Sequence, residues 1–313
     1  MATFTTFNDD ALARYLSMFS LGDLHSYNAI ANGIENSNYF VTLDQHEEKS
    51  EYVLSIMEEL TFADVPFFNR VLQHLNYYGL PVPAAKQTLD GMTSTIFCGK
   101  PTFLFPKLSG EHLKEGSAEH CSTIGKSLAD IHVALATEGL HRDNPFSPEW
   151  MEDTIQTVAE YVTPDELALL SRLTHEYETA QDLDLPKGII HGDLFRDNVL
   201  FDGNELTGIL DFFHACDDFL IQDIAITIND WCRDETGGRC TDRRLALIDG
   251  YCSKRQLTPT EFEYLLVFEK FSAARFALTR LLTRESGGYL KDPKVFLNLA
   301  QQLDDQAQSV TTS

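Results

Sequence analysis

The spacing of apolar residues changes part-way along the chain. Up to about residue 105 it is mostly that of strands: Tyr27–Ile30, Tyr39–Leu43, Tyr52–Ile56, Phe97 and Thr102–Phe105 are short apolar or alternating runs rich in aromatic and β-branched residues. One stretch breaks the pattern. Val65–Tyr78 carries Phe68, Val71, Leu72 and Leu75 near helical spacing, and Gly79-Leu80-Pro81-Val82-Pro83 stops that helix. The first hundred residues therefore read as strands around one helix. After Pro106-Lys107-Leu108-Ser109-Gly110 the period turns helical. Ser147-Pro148-Glu149, Thr163-Pro164-Asp165-Glu166 and Thr258-Pro259-Thr260-Glu261 are helix starts, the last two being capping boxes with proline at the first helical position. Phe262, Leu265, Leu266, Phe268, Phe271, Phe276, Leu278, Leu281 and Leu282 predict a long buried helix over 261–283. The pattern predicts an α+β fold in two lobes: a small β-rich lobe over residues 1–105 and a larger, mostly helical lobe over 106–313, joined by a hinge at about 104–110.

A strand pair interrupts the helical half. Ile189 and Ile190 lead into His191-Gly192-Asp193-Leu194-Phe195-Arg196-Asp197-Asn198, after which Val199–Phe201 and Leu206–Leu210 flank Asp202-Gly203-Asn204, a strong hairpin turn signal. Asn198 enters the first arm and Asp211 leaves the second, so the two oxygen-bearing side chains are expected side by side at the open end. Neighbouring hard-oxygen ligands suit Mg²⁺, which takes one or two protein groups and completes its octahedron with water and substrate phosphates. Asp193, a few residues upstream, is then placed to accept a proton from a hydroxyl. One aspartate as base, with an asparagine and a second aspartate on the metal, is the division of labour of phosphoryl transfer. Singly, each residue is ordinary, because Asn and Asp favour turns and an Asp can merely cap backbone amides. The chemical reading rests on their spacing.

At 313 residues the chain can bury a sizeable core and exceeds the usual single-domain size, which agrees with two lobes. Hydrophobic content of 43% and charged content of 23% are ordinary for a globular protein, so the net charge of -24 is the outlying quantity. So acidic a surface repels nucleic-acid phosphates and anionic membranes, and neither is expected as a partner. It also repels ATP, so a nucleotide site needs local correction from Mg²⁺ and basic groups; the same acidity serves plain solubility equally well. Cys98, Cys121, Cys216, Cys232, Cys240 and Cys252 form no C-x-x-C pair and read as reduced thiols of a cytoplasmic enzyme, not as a disulfide frame or zinc site. The first ten residues lack the basic residue and apolar stretch of a secretion signal, and no apolar run approaches the ~18 residues of a membrane span. No residue pattern sets an oligomeric state.

The loop and hairpin from Ile189 to Phe212 resemble those of the aminoglycoside phosphotransferase and choline kinase group, small-molecule kinases with a protein-kinase-like bilobal fold. Within that group the chain is most similar to bacterial homoserine kinases of the kinase-like type. The similarity is carried by Gly33-Ile34-Glu35-Asn36-Ser37-Asn38-Tyr39-Phe40-Val41, by Leu194–Asp202 and by Asp223–Cys232, and it runs from about Phe4 to near residue 300. It implies transfer of the γ-phosphoryl of ATP, with Mg²⁺, to the hydroxyl of L-homoserine, a step in threonine biosynthesis. Asp193 would hold or deprotonate that hydroxyl, and Asn198 and Asp211 would fix the metal. Gly33, Asn36, Ser37 and Asn38 would form the phosphate cover, with Phe105, Lys107 and Leu108 bordering the nucleotide at the hinge. Arg196 adjoins the position where protein kinases place a loop lysine; it reads either as charge neutralisation for the γ-phosphate or as a solvated arginine. His191 and Asp223 would buttress the loop without touching substrate.

One departure stands out. Ser55 occupies the third-strand position where most kinases carry a lysine or arginine, leaving Lys49, Lys107 and Arg196 as candidates for phosphate neutralisation, and Glu58 and Glu59 precede the first-lobe helix where a partner glutamate would lie within it. For an amino-acid acceptor the pocket should offer an arginine and an acidic or amide group, for which Asp217, Asp218, Asn229, Asp230 and Arg275 are the suppliers. A solvated face explains Asp223 and Asp230 just as well. Choline, an aminoglycoside or a sugar alcohol stays open as the acceptor, and Ser55 keeps open a nucleotide-binding regulator without turnover.

Overall fold

The computed structural model describes residues 5–30, 36–45, 48–137, 139–283 and 292–311. In chain order its elements are α1 (Asp9–Leu16), β1 (Asp23–Ala29), β2 (Asn36–Gln45), β3 (Glu48–Met57), α2 (Val65–Tyr77), β4 (Thr95–Phe97) and β5 (Lys100–Pro106) in the first lobe. The second lobe contains α3 (Ala118–Leu135), α4 (Pro148–Thr157), α5 (Pro164–Ala180), β6 (Lys187–Ile190), β7 (Val199–Asp202), β8 (Glu205–Ile209), β9 (Cys216–Phe219), α6 (Leu220–Trp231), α7 (Thr241–Cys252), α8 (Pro259–Thr283) and α9 (Lys294–Thr311).

Among the described residues, strands β1 to β5 form one antiparallel sheet in the order β1-β2-β3-β5-β4. Alternation divides its faces. Tyr39, Val41 and Leu43 of β2, with Tyr52, Leu54 and Ile56 of β3, pack against Leu12, Tyr15 and Leu16 of α1. The opposite face carries Asn38 paired with Ser55 and Phe40 paired with Val53, while Phe103 and Phe105 of β5 join α2 and the second-lobe core. Helix α1 is absent from the sequence expectation. Its signals were present: Asn8 accepts from Ala11 N at the N-cap, Asp9 and Asp10 fill the first turn, and Leu12, Tyr15 and Leu16 have helical spacing.

Two crossings fasten the strands to the helical lobe. Beyond β5, Glu111 exchanges backbone hydrogen bonds with Phe201 of β7 at 2.9 and 3.0 Å, and Thr207 of β8 donates to Ser109 O at 2.6 Å. Gly110, at φ 103°, sits where a Cβ would come within 2.9 Å of Phe201 O, so the chain reaches the hairpin only through glycine.

The expected capping boxes form at α5 and α8: Thr163 N donates to Glu166 at 2.9 Å, and Thr258 N to Glu261 at 2.8 Å. Helix α8 spans the predicted range, but Phe262 is 51% exposed and lies outside its buried face. Helix α6 overturns another expectation. The solvated face proposed for Asp223 does not exist, because α6 is enclosed and Gln222, Asp223, Thr227 and Asn229 are all buried with its isoleucines. No helix of the described residues is long and apolar enough to cross a membrane.

Candidate active site

The loop after β6 hangs from the interior of the helical lobe. Asp223, with no exposed surface, accepts hydrogen bonds from His191 N at 2.7 Å and Gly192 N at 3.0 Å, and its carboxylate lies 3.1 Å from His132 Nε2. Burial alone would raise its pKa; the His132 contact and the backbone donors outweigh that and hold it below the usual carboxylate value. His191 is equally enclosed. Its Nδ1 accepts from Asp193 N at 3.2 Å, which assigns the ring proton to Nε2, where Leu210 O accepts it at 2.9 Å. Burial lowers the His191 pKa and so keeps this neutral tautomer. Gly192 has φ 78°, and a Cβ there would lie 2.7 Å from His214 O, so this glycine lets the loop lie directly on the segment after Asp211.

The hairpin then sets the three oxygen-bearing residues. Asn198 Nδ2 donates both to Asp193 O at 2.8 Å and to Asp193 Oδ2 at 2.9 Å, leaving the amide oxygen as the end that can face a cation. Leu210 N donates to Asn198 O at 2.8 Å, closing the open end of the hairpin, and Asp211 follows at once. Asp211 adopts the left-handed conformation, φ 62° and ψ 59°, before a single turn over Phe212–His214. Such a conformation off glycine is uncommon and concentrates where a side chain must be aimed. The structure thus brings Asp193 and Asn198 into contact and sets Asp211 across the hairpin end from Asn198. Among the described residues no group of three or more His, Cys, Asp or Glu could hold a metal ion. An asparagine and an aspartate, completed by phosphate oxygens, match what Mg²⁺ requires of a protein.

Several expected site residues are engaged elsewhere. The Arg196 guanidinium grips Asp230 through Nε at 3.0 Å and Nη2 at 3.2 Å, Arg196 N adds a bond at 2.8 Å, and Nη1 donates to Lys114 O at 2.6 Å. This bidentate pair makes Arg196 and Asp230 each other's partners and ties the loop to the end of α6. Asp217 sits on β9 against the exposed His141 at 2.7 Å, and Asn229 donates to Glu269 O at 2.7 Å. Asp218 is buried under Asn144 and Tyr177, and burial pushes its pKa up to about 6.

In the first lobe, Asn36, Ser37 and Asn38 belong to β2, not to a loop, and Gly33 lies outside the described residues. Ser37 lies on the sheet face that packs against α1, where its hydroxyl is hydrogen-bonded to Glu58 and to Thr5 N. Asn36 Oδ1 accepts from Glu58 N at 3.4 Å, while Asn38 lies on the sheet face opposite to that of Ser37, paired with Ser55. Glu58 pairs with Lys100 on the outer face. Phe105 is buried, Leu108 packs near Gly208, and Lys107 pairs with Glu51 at 2.9 Å over the Phe40 ring. Lys49, on the exposed end of β3, contacts His25.

Arg142 escaped the sequence reading. Its Nη1 donates to Phe213 O at 3.0 Å and Ala215 O at 2.9 Å, its Nε lies 3.6 Å from Asp64 at the start of α2, and its guanidinium stands 5.1 Å from the Phe68 ring. It therefore links α2 to the turn after Asp211. No spacing could have signalled it, because its partners come from segments far apart in the chain.

A strand-rich lobe, a helical lobe and a loop anchored from a buried helix define a protein-kinase-like phosphotransferase. Residues 26–260 match the phosphotransferase enzyme family, and the chain belongs to that family. It is 36% identical over 309 residues to a homoserine kinase of Pseudomonas aeruginosa, covering 96% of each chain. It is also 37% identical over 292 residues to a homoserine kinase of Rhizobium meliloti, covering 90% of this chain and 86% of that one. Among solved structures it resembles an amicoumacin kinase in complex with AMP-PNP and Ca²⁺, with TM-score 0.75 at 13% identity, covering 96% of this chain and 94% of that one. A choline kinase of Cryptosporidium parvum has TM-score 0.67 at 13% identity, covering 97% of each chain.

Proposed function

We propose that this chain phosphorylates the side-chain hydroxyl of L-homoserine with ATP and Mg²⁺, forming O-phospho-L-homoserine and ADP on the route to threonine. The observation that carries the chemistry is the Asp193–Asn198 contact at the hairpin end that Asp211 completes. The acceptor is supported by relatives that carry the name homoserine kinase at 34–37% identity over nearly the whole chain.

The acceptor oxygen forms a bond to the γ-phosphorus, the bond to the β–γ bridging oxygen breaks, and the hydroxyl proton passes to the Asp193 carboxylate. Asp193 is aimed for this by its backbone bond to His191 and by Asn198 on Oδ2. Asn198 Oδ1 and the Asp211 carboxylate would hold Mg²⁺, which when bound offsets charge on the β- and γ-phosphoryl oxygens. Asn38 and Ser55 face the cleft as neutral donors, so phosphate meets no carboxylate there. The hinge segment with Phe105, Lys107 and Leu108 borders the base. ADP release with ATP, Mg²⁺ and a panel of L-homoserine, choline, kanamycin and a sugar alcohol tests the assignment. Turnover confined to homoserine is expected; turnover with choline or kanamycin alone would overturn the acceptor, and nucleotide binding with no turnover on any acceptor would make the chain a regulator.

A further inference from the structure

Beside the catalytic loop lies a recess lined by Asn144, Phe146, Gly192, His214, Gln222 and Arg275. Two polar side chains on its wall are buried and opposite in character. Arg275, 3% exposed, sets its guanidinium 3.6 Å from the Phe146 ring centroid and 4.0 Å from that of Phe276. Stacking of this kind orients the planar fork, whose geometry matches a carboxylate. Gln222, also 3% exposed, donates Nε2 to Ser272 Oγ at 3.1 Å, and its Oε1 is buried with no hydrogen-bond partner among the described residues. A buried acceptor without a donor is costly, so a ligand that brings an N–H to this oxygen gains affinity. Asn144 cannot serve in the same way. Its Nδ2 donates to Asp218 at 2.6 Å and its Oδ1 accepts from Phe146 N at 2.8 Å, which makes it a positioning residue for the ring over Arg275.

An α-amino acid carries the complement of this wall, an anionic carboxylate and an N–H donor on one carbon. We infer that the recess is the subsite for the amino-acid end of the acceptor: Arg275 takes the α-carboxylate, Gln222 Oε1 takes the α-ammonium, and the side chain runs past Gly192 toward Asp193. The inference rests on the homoserine reading and adds to it a reason for selectivity. A buried guanidinium repels choline and aminoglycosides, both cationic, and a sugar alcohol brings no carboxylate to it.

The test is steady-state ADP release by the full chain at saturating ATP and Mg²⁺, with three acceptors used as substrates or as competitive inhibitors. These are L-homoserine, 3-aminopropan-1-ol, which lacks the carboxylate, and 4-hydroxybutyrate, which lacks the ammonium. Arg275→Met should raise KM for homoserine roughly 10- to 100-fold, the loss of one charge-assisted contact, and leave KM for the cationic 3-aminopropan-1-ol unchanged or lowered. Gln222→Met should raise KM for homoserine about 10-fold and leave 4-hydroxybutyrate unaffected, with kcat and the KM for ATP retained in both variants. Equal losses on homoserine and the matching truncated acceptor, or an unchanged KM for homoserine, would overturn the subsite. The Gln222 variant decides if the Arg275 variant does not fold. Absence of homoserine turnover in the unaltered protein would instead overturn the homoserine reading itself.

Discussion

Asp223 holds two backbone N–H groups and lies against the His132 ring, with no exposed surface of its own. Asp223→Ala should therefore destabilise the fold by about 3–5 kcal/mol in urea unfolding and depress kcat with it, since the loop carrying Asp193 loses its anchor. Asp218 gives a test through pH. Its folded pKa of about 6 lies above the ordinary aspartate value, so the folded state holds this proton more tightly than the unfolded chain does. The stability it contributes is present at low pH and is lost as pH rises from about 4 to about 6. Asp218→Asn removes that loss: relative to the parent protein, its unfolding free energy should improve by on the order of 3 kcal/mol between pH 4 and pH 7. A difference between the two proteins that does not change with pH would show that Asp218 titrates normally. His191 slopes the other way, because its folded pKa is lowered: its contribution is present above the ordinary histidine value near 6.5 and fades as pH falls below it.

Most elements built from neighbouring residues were legible in the sequence, α1 being missed although its cap and period are local. The hairpin β7–β8, the helix α2 and the capped starts of α4, α5 and α8 each depend on a few adjacent positions, and each lies where local turn, cap and period signals put it. The meeting of the Asn198 and Asp211 ends of the hairpin was legible for the same reason, whereas the hydrogen bonds from Asn198 to Asp193 were not. Partners brought together from distant segments were not: Arg196 with Asp230, Ser37 with Glu58, Arg142 with the turn after Asp211, and Gln222 with the recess. Arg142 is the element that couples α2 to that turn. Arg142→Met should cost about 2 kcal/mol of stability, from two charge-assisted bonds to carbonyls, and should raise the KM for ATP more than that for the acceptor. An equal effect on both would mean that the link is structural alone.

Across the whole molecule, the acidity of -24 argues that nucleotide binding depends on local design, not on the overall field. Asn38 and Ser55 pair across the first-lobe sheet, and Lys49, Lys107 and Lys100 are engaged by His25, Glu51 and Glu58. On the proposed reading, charge compensation would fall to a divalent ion held by Asn198 and Asp211, and the acceptor hydroxyl to Asp193. Mg²⁺-ATP affinity measured by titration calorimetry, together with turnover, for Asp193→Asn and Asp211→Asn separates these duties. Asp193→Asn should keep nucleotide affinity within about threefold and lose at least ~100-fold in kcat, whereas Asp211→Asn should lose both together. Loss of nucleotide binding in both variants, or in neither, would contradict the division of roles across the hairpin.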